Sequence, residues 1–158
     1  MPLFVQGKEW HFCPLSVDLD QFPDLARKHR KLCPDTPDVE ALGLKFVLDG
    51  FPEADVINFV RRVCRWGGYA GIAGRVSRDA RPPAISAALR AGYNLAIGGS
   101  PGNGLRAING LRGLGISFAS KHLRFLIPQS AVVLDSVISG RLGYSMSIEG
   151  YESFLADC

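Results

Sequence analysis

The sequence predicts a mainly α protein folded as a single helical domain, and three observations carry that expectation. Apolar residues recur at helical spacing from residue 53 onward. Prolines and paired glycines fall where helices start and stop. No series of alternating strand segments interrupts them. At 158 residues the chain fits one domain and is long enough to bury a core without disulfides or metals.

Each element has its own signal. Residues 1–53 carry six of the ten prolines, at Pro2, Pro14, Pro23, Pro34, Pro37 and Pro52, which predicts an irregular N-terminal part. Within it, residues 18–31 read as a helix delayed or kinked by Pro23 and ending in a basic run from Arg27 to Lys31. Residues 38–48 read as a second, short helix. Val56, Phe59, Val60 and Val63 then share one helical face at i, i+3, i+4, i+7, with Arg61, Arg62 and Arg65 on or near the other. Gly67-Gly68 loosens the chain, residues 75–81 read as a basic connector, and Pro82-Pro83 opens a core helix over 84–97. Gly98-Gly99-Ser100 ends it. Residues 101–111 form a short helix, Arg112-Gly113-Leu114-Gly115 a tight turn, and residues 116–127 a helix stopped by Pro128. Ala131-Val132-Val133-Leu134 is a brief extended run, and Asp135 is placed to cap a helix over 136–141. Residues 148–158 read as a last helix with no Gly or Pro stop, so the chain is either cut there or ends on a short helix.

Composition narrows the functions. With 47% hydrophobic and 21% charged residues, the make-up is that of an ordinary soluble globular protein. A net charge of +3 excludes a histone-like polycation, although a mild excess of base gathered on one face still attracts nucleic acid. Arg61, Arg62 and Arg65, with Arg75, Arg78 and Arg81 nearby in sequence, suit a solvated helix face or a phosphate track equally well. Cys13, Cys33, Cys64 and Cys158 form no CxxC pair and none has zinc-finger spacing with His11, His29 or His122, which predicts reduced thiols in an intracellular protein. Residues 1–14 lack the basic-then-apolar pattern of a secretory signal, and no apolar run reaches membrane-spanning length. The expected compartment is the cytoplasm, with action at the nucleoid.

The informative stretch is 107–138: helix, glycine turn, helix, apolar run, aspartate. Glycines in such a turn allow positive φ and close backbone approach. The first turn of the following helix leaves amide N–H groups aimed at anions, so the turn can grip a phosphate without reading sequence. Alone the motif is weak evidence, because Gly-x-Gly is more often an ordinary helix-to-helix turn.

Gly113-Leu114-Gly115-Ile116-Ser117-Phe118-Ala119-Ser120-Lys121-His122-Leu123-Arg124-Phe125-Leu126, followed by Val132-Val133-Leu134-Asp135-Ser136-Val137-Ile138, resembles the helix-hairpin-helix DNA glycosylases. The likeness is to 8-oxoguanine DNA glycosylases, in particular short bacterial proteins of that fold that lack the β-domain. It covers residues 107–138 well and the upstream helices, including Trp66-Gly67-Gly68, only loosely. That family places a lysine on the helix after the hairpin and an aspartate at the start of a later helix, roles that Lys121 and Asp135 match. The resemblance implies a helix-hairpin-helix domain that excises an oxidised purine, 8-oxoguanine, from double-stranded DNA in base excision repair. It implies Gly113, Gly115, Ser117, Arg112 and Arg124 on the DNA, associated lyase activity, and a protein acting as a monomer. No metal cofactor is implied for the chemistry, though a monovalent ion can bridge the hairpin carbonyls to phosphate. The sequence departs from the eukaryotic members, whose lysine lies where Ser117 stands here. Lys121 is one turn later, on the same face, as in an archaeal branch. The separation of 14 residues from Lys121 to Asp135 is also shorter.

The residue types suit the chemistry. Breaking the bond between base and sugar develops positive charge on the sugar, which a carboxylate stabilises. A neutral amine attacks C1′ and forms a Schiff base; partial burial and the cations Arg112 and Arg124 would favour the neutral form. The damaged base must leave the stack and enter a pocket, for which Trp66, Tyr151 and Phe154 are the candidate walls among the aromatics Trp10, Trp66, Tyr69, Phe118, Tyr144, Tyr151 and Phe154.

Plainer readings stand beside these. Lys121 lies on a stripe with Ser117 and Arg124 that suits solvent, Asp135 suits a simple N-cap, and His122 reads as a lone surface or half-buried histidine. Two rival functions remain: a non-catalytic DNA- or nucleotide-binding relative, such as an accessory protein of a bacterial defence system, and a helical protein-interaction domain.

Overall fold

A computed structural model describes residues 4–6, 9–12 and 15–158, with side chains from Asp18 onward. Met1, Cys13, Pro14 and the side chain of Trp10 lie outside the described residues. Strands β1 (Phe4–Gln6), β2 (Glu9–Phe12) and β3 (Leu15–Asp18) pair antiparallel in the order β1-β2-β3. Val5 lies opposite Trp10, which lies opposite Val17. This corrects the irregular start that the prolines predict. Strands of three or four residues alternate too briefly to be read as a pattern.

Helices follow, making the protein mainly α. After one 3-10 turn come α1 (Phe22–Leu32), α2 (Thr36–Leu48), α3 (Glu53–Trp66), α4 (Gly71–Asp79) and α5 (Pro82–Ile97). Then come α6 (Pro101–Asn109), α7 (Ile116–Leu126), α8 (Ser136–Leu142) and α9 (Ile148–Asp157). The Asp18 side chain caps the 3-10 turn, and Pro23 sits in the first turn of α1, which explains why that helix starts later than residue 18. Of the basic connector expected over 75–81, residues 75–79 are instead the second half of α4, and Ala80 and Arg81 alone link it to α5. Ala73 and Val76 are its buried face, three residues apart, and Arg75 and Arg78 point outward.

The core follows the predicted face of α3: Val56, Phe59, Val60 and Val63 are fully buried. Each such side chain stabilises the fold by about 1.5–3 kcal/mol relative to exposure. Phe59 stacks on Phe46 of α2 at 4.9 Å between ring centroids and meets the His122 ring edge-on. The central element is α7, which packs against α2, α3, α5 and α6. Eight of its residues, from Phe118 to His122 and beyond to Leu126, are buried. A helix covered on nearly every side cannot rotate or slide, so whatever it carries is held rigidly. Among the described residues, no helix is long and apolar enough to cross a membrane.

Candidate active site

The turn between α6 and α7 is anchored by its apolar residues and exposes its polar ones. Leu111 and Leu114 are buried, whereas Arg112, Gly113 and Gly115 are exposed. Gly113 adopts φ +100°, a conformation that side chains resist. A Cβ there would also sit 3.2 Å from the Arg75 Cβ of α4. Gly115 is the N-cap of α7, and its carbonyl accepts from the Phe118 and Ala119 N–H groups.

One turn into α7 the chemistry begins. The Lys121 ammonium donates to Ser117 Oγ at 2.8 Å and to Asp135 Oδ2 at 3.3 Å. It also lies over the Phe118 ring, 5.1 Å from the centroid. The residue is 5% exposed, so the solvated lysine that its polar stripe permits is not what forms. Its stem passes Gly67, where a Cβ would come within 2.7 Å of the Phe118 ring and 3.0 Å of Lys121 Cδ. Gly67 is thus a wall of the lysine's site, and the missing side chain leaves the room.

Asp135 does two jobs with two oxygens. Oδ1 accepts from the Val137 and Ile138 N–H groups, each at 3.1 Å, and caps α8. Oδ2 faces Lys121. The cap and the acidic partner are therefore one arrangement, not alternatives. Burial pushes the Asp135 carboxyl up, but the Ile138 N–H, the Lys121 charge and hydrogen bond, and the Val137 N–H outweigh it and hold it below the usual carboxylate range.

Ser120, which the sequence reading passed over, sets this meeting. Its hydroxyl is fully buried, donates to the Ser117 carbonyl at 2.9 Å and accepts from the Leu134 N–H at 3.1 Å. It ties the extended 131–134 run, which joins no sheet, to the flank of α7. The next residue is Asp135. A serine among the apolar positions of a core helix was the available signal, since a buried hydroxyl requires a partner.

The other expected site residues separate. Arg112 stays at the hairpin, with Nε 3.7 Å from Asp79 of α4. Arg124 lies in the last turn of α7, where its guanidinium pairs with Glu40 of α2 at 2.7 Å. The expected base-pocket aromatics are packing residues. Tyr151 is fully buried with its hydroxyl pushed up to about 12 by burial, and Phe154 is buried against Tyr144. The Trp66 indole donates to Thr36 Oγ1 at 2.8 Å and meets Phe125 edge-on. Tyr69 is 71% exposed, its ring 6.4 Å from that of Phe118. His122 is buried, with Nδ1 donating to the Phe118 carbonyl at 2.6 Å. Burial pushes it down to about 4 against that carbonyl, and the Lys121 charge acts in the same sense as burial. It belongs to the core.

No family model matches the sequence, and no curated protein or solved structure matches the chain.

Proposed function

We propose that this protein is a DNA glycosylase that removes an oxidised purine, 8-oxoguanine, with Lys121 as nucleophile and Asp135 as its acidic partner. The observation that carries the reading is a buried amine 3.3 Å from a carboxylate, one turn beyond an exposed glycine hairpin. In this scheme the ammonium passes a proton to the Asp135 carboxylate, 3.3 Å away, which hands it on to the departing base and is a carboxylate again, while Ser117 Oγ orients the amine. The Nζ–C1′ bond forms as the C1′–N9 bond breaks, and the electron pair leaves with the base, which is then protonated. The Asp135 carboxylate opposes the positive charge that develops on the sugar. Opening of the C1′–O4′ bond yields the imine, and loss of a C2′ proton expels the 3′ phosphate. Tyr69 at the rim supplies a ring on which a base can stack. Reaction with a duplex containing 8-oxoguanine in the presence of borohydride is expected to trap a covalent complex that Lys121→Ala abolishes.

A second reading has one observation in its favour. Lys121 is already held by Ser117 and Asp135 and is almost wholly covered, as an internal strut would be. A non-catalytic DNA binder of this kind shows salt-dependent affinity for duplex DNA and no trapped adduct.

A further inference from the structure

Beside the hairpin, on the side of α4, lies a second charged place that the proposed chemistry does not use. Arg75, Arg78 and Asp79 of α4 and Arg112 and Gly113 of the turn line a cleft of about 350 Å³. Three guanidiniums and one carboxylate line it, so the lining is net positive. The arginines come from two elements that meet at Gly113, where a Cβ would press on Arg75. Any side chain at 113 would push that wall outward. Arg75 and Arg78 stand three residues apart on one helix, a spacing that sets both on the same face. Asp79 sits 3.7 Å from Arg112 Nε, too far for a good hydrogen bond, so it steadies the arginine without satisfying its donors.

We propose that this cleft binds a phosphate oxyanion, held by the guanidiniums of Arg75, Arg78 and Arg112. Guanidinium forks match the geometry of phosphate oxygens, and three arginines from two elements line this one cleft. The identification of that phosphate as part of a DNA strand rests on the glycosylase reading; the oxyanion chemistry does not. On that reading the strand is gripped on the α4 side of the hairpin.

The test measures binding, not chemistry, so it stands whether or not Lys121 forms an adduct. The Arg75→Gln/Arg78→Gln double variant and an Arg27→Gln/Arg30→Gln control on α1 lose the same charge. Binding of a fluorescein-labelled undamaged duplex is followed by anisotropy across salt concentrations. The cleft variant is expected to bind about tenfold or more weakly at low salt. Its slope of log affinity against log salt should fall by about two. The α1 control stays close to the parent protein. Asp79→Asn, which removes the opposing charge, is expected to bind severalfold more tightly. Thermal melts establish that each variant is folded; the arginines are exposed. Equal weakening in cleft and control variants would show a net-charge effect alone and overturn the proposal, as would no weakening in either. Titration of the labelled protein with inorganic phosphate separates the sources. Shifts of the Gly113 amide that vanish in the cleft variant, without a matching duplex effect, would keep the oxyanion site and remove the strand.

Discussion

Lys121 and Asp135 meet with 7% and 27% of their side chains exposed, whereas Arg112 and Asp79, at the same hairpin, meet with 84% and 34% exposed. The first pair is enclosed by the central helix, fixed by Ser117, Ser120 and the α8 cap. The second is an open pair across a cleft. Charge kept from water interacts strongly and in one geometry; charge in water interacts weakly and adapts. The difference separates two tasks that the proposed glycosylase would combine, a fixed reacting amine and a yielding grip on a polyanion.

The largest expected effect breaks that contrast at its enclosed end. Asp135→Ala removes an α8 cap and strands a buried ammonium, and should destabilise the protein by about 3 kcal/mol in urea denaturation. Asp79→Ala should change stability by less than about 0.5 kcal/mol. Equal small losses would mean that water reaches both pairs alike.

The pH dependence sharpens it. His122 is held neutral, at about 4 against 6.5 unfolded, so the unfolded chain binds the extra proton between those values. Stability is complete above pH 6.5 and should fall by up to about 3 kcal/mol as the pH drops toward 4. Asp135 acts in a separate window. Its carboxyl lies below the ordinary 3.8, so its contribution is present above that value and is lost as pH falls through the lower folded one. Urea midpoints measured across pH should lose the upper step in His122→Gln and retain it in Asp135→Asn.

Ser120→Ala leaves the buried Leu134 N–H without its acceptor and should cost about 2 kcal/mol. It should also slow trapping more than it weakens DNA binding, because the 131–135 segment loosens while the hairpin does not. A smaller loss, about 1 kcal/mol, is expected for Gly113→Ala, from strain at φ +100°. Thermal melts of the two variants rank them.

The legible parts of the sequence were those where one signal dominates. The α3 face, the proline start of α5, the glycine turn and the Asp135 cap each follow from local rules. The α4 helix was hidden because Gly71, Gly74 and three charged residues, Arg75, Arg78 and Asp79, mask a buried face as narrow as Ala73 and Val76. Tyr151 and Phe154, three residues apart, are the spacing of a core stripe, and a base pocket would use the same residue types; only the packing of α9 on α6 distinguishes them. Lys121 and Asp135 were identified together through a resemblance. What holds them together is less legible, because Ser117 reads as a DNA contact, Ser120 is one hydroxyl among apolar positions, and Gly67 comes from a different helix end.

Peptide mapping of the borohydride-reduced adduct identifies the nucleophile. A sugar remnant is expected on Lys121 within residues 116–126, present with a duplex bearing 8-oxoguanine and absent in folded Lys121→Ala. Excision of the lesion by that folded variant at the parent rate, or an adduct on another lysine, would contradict it.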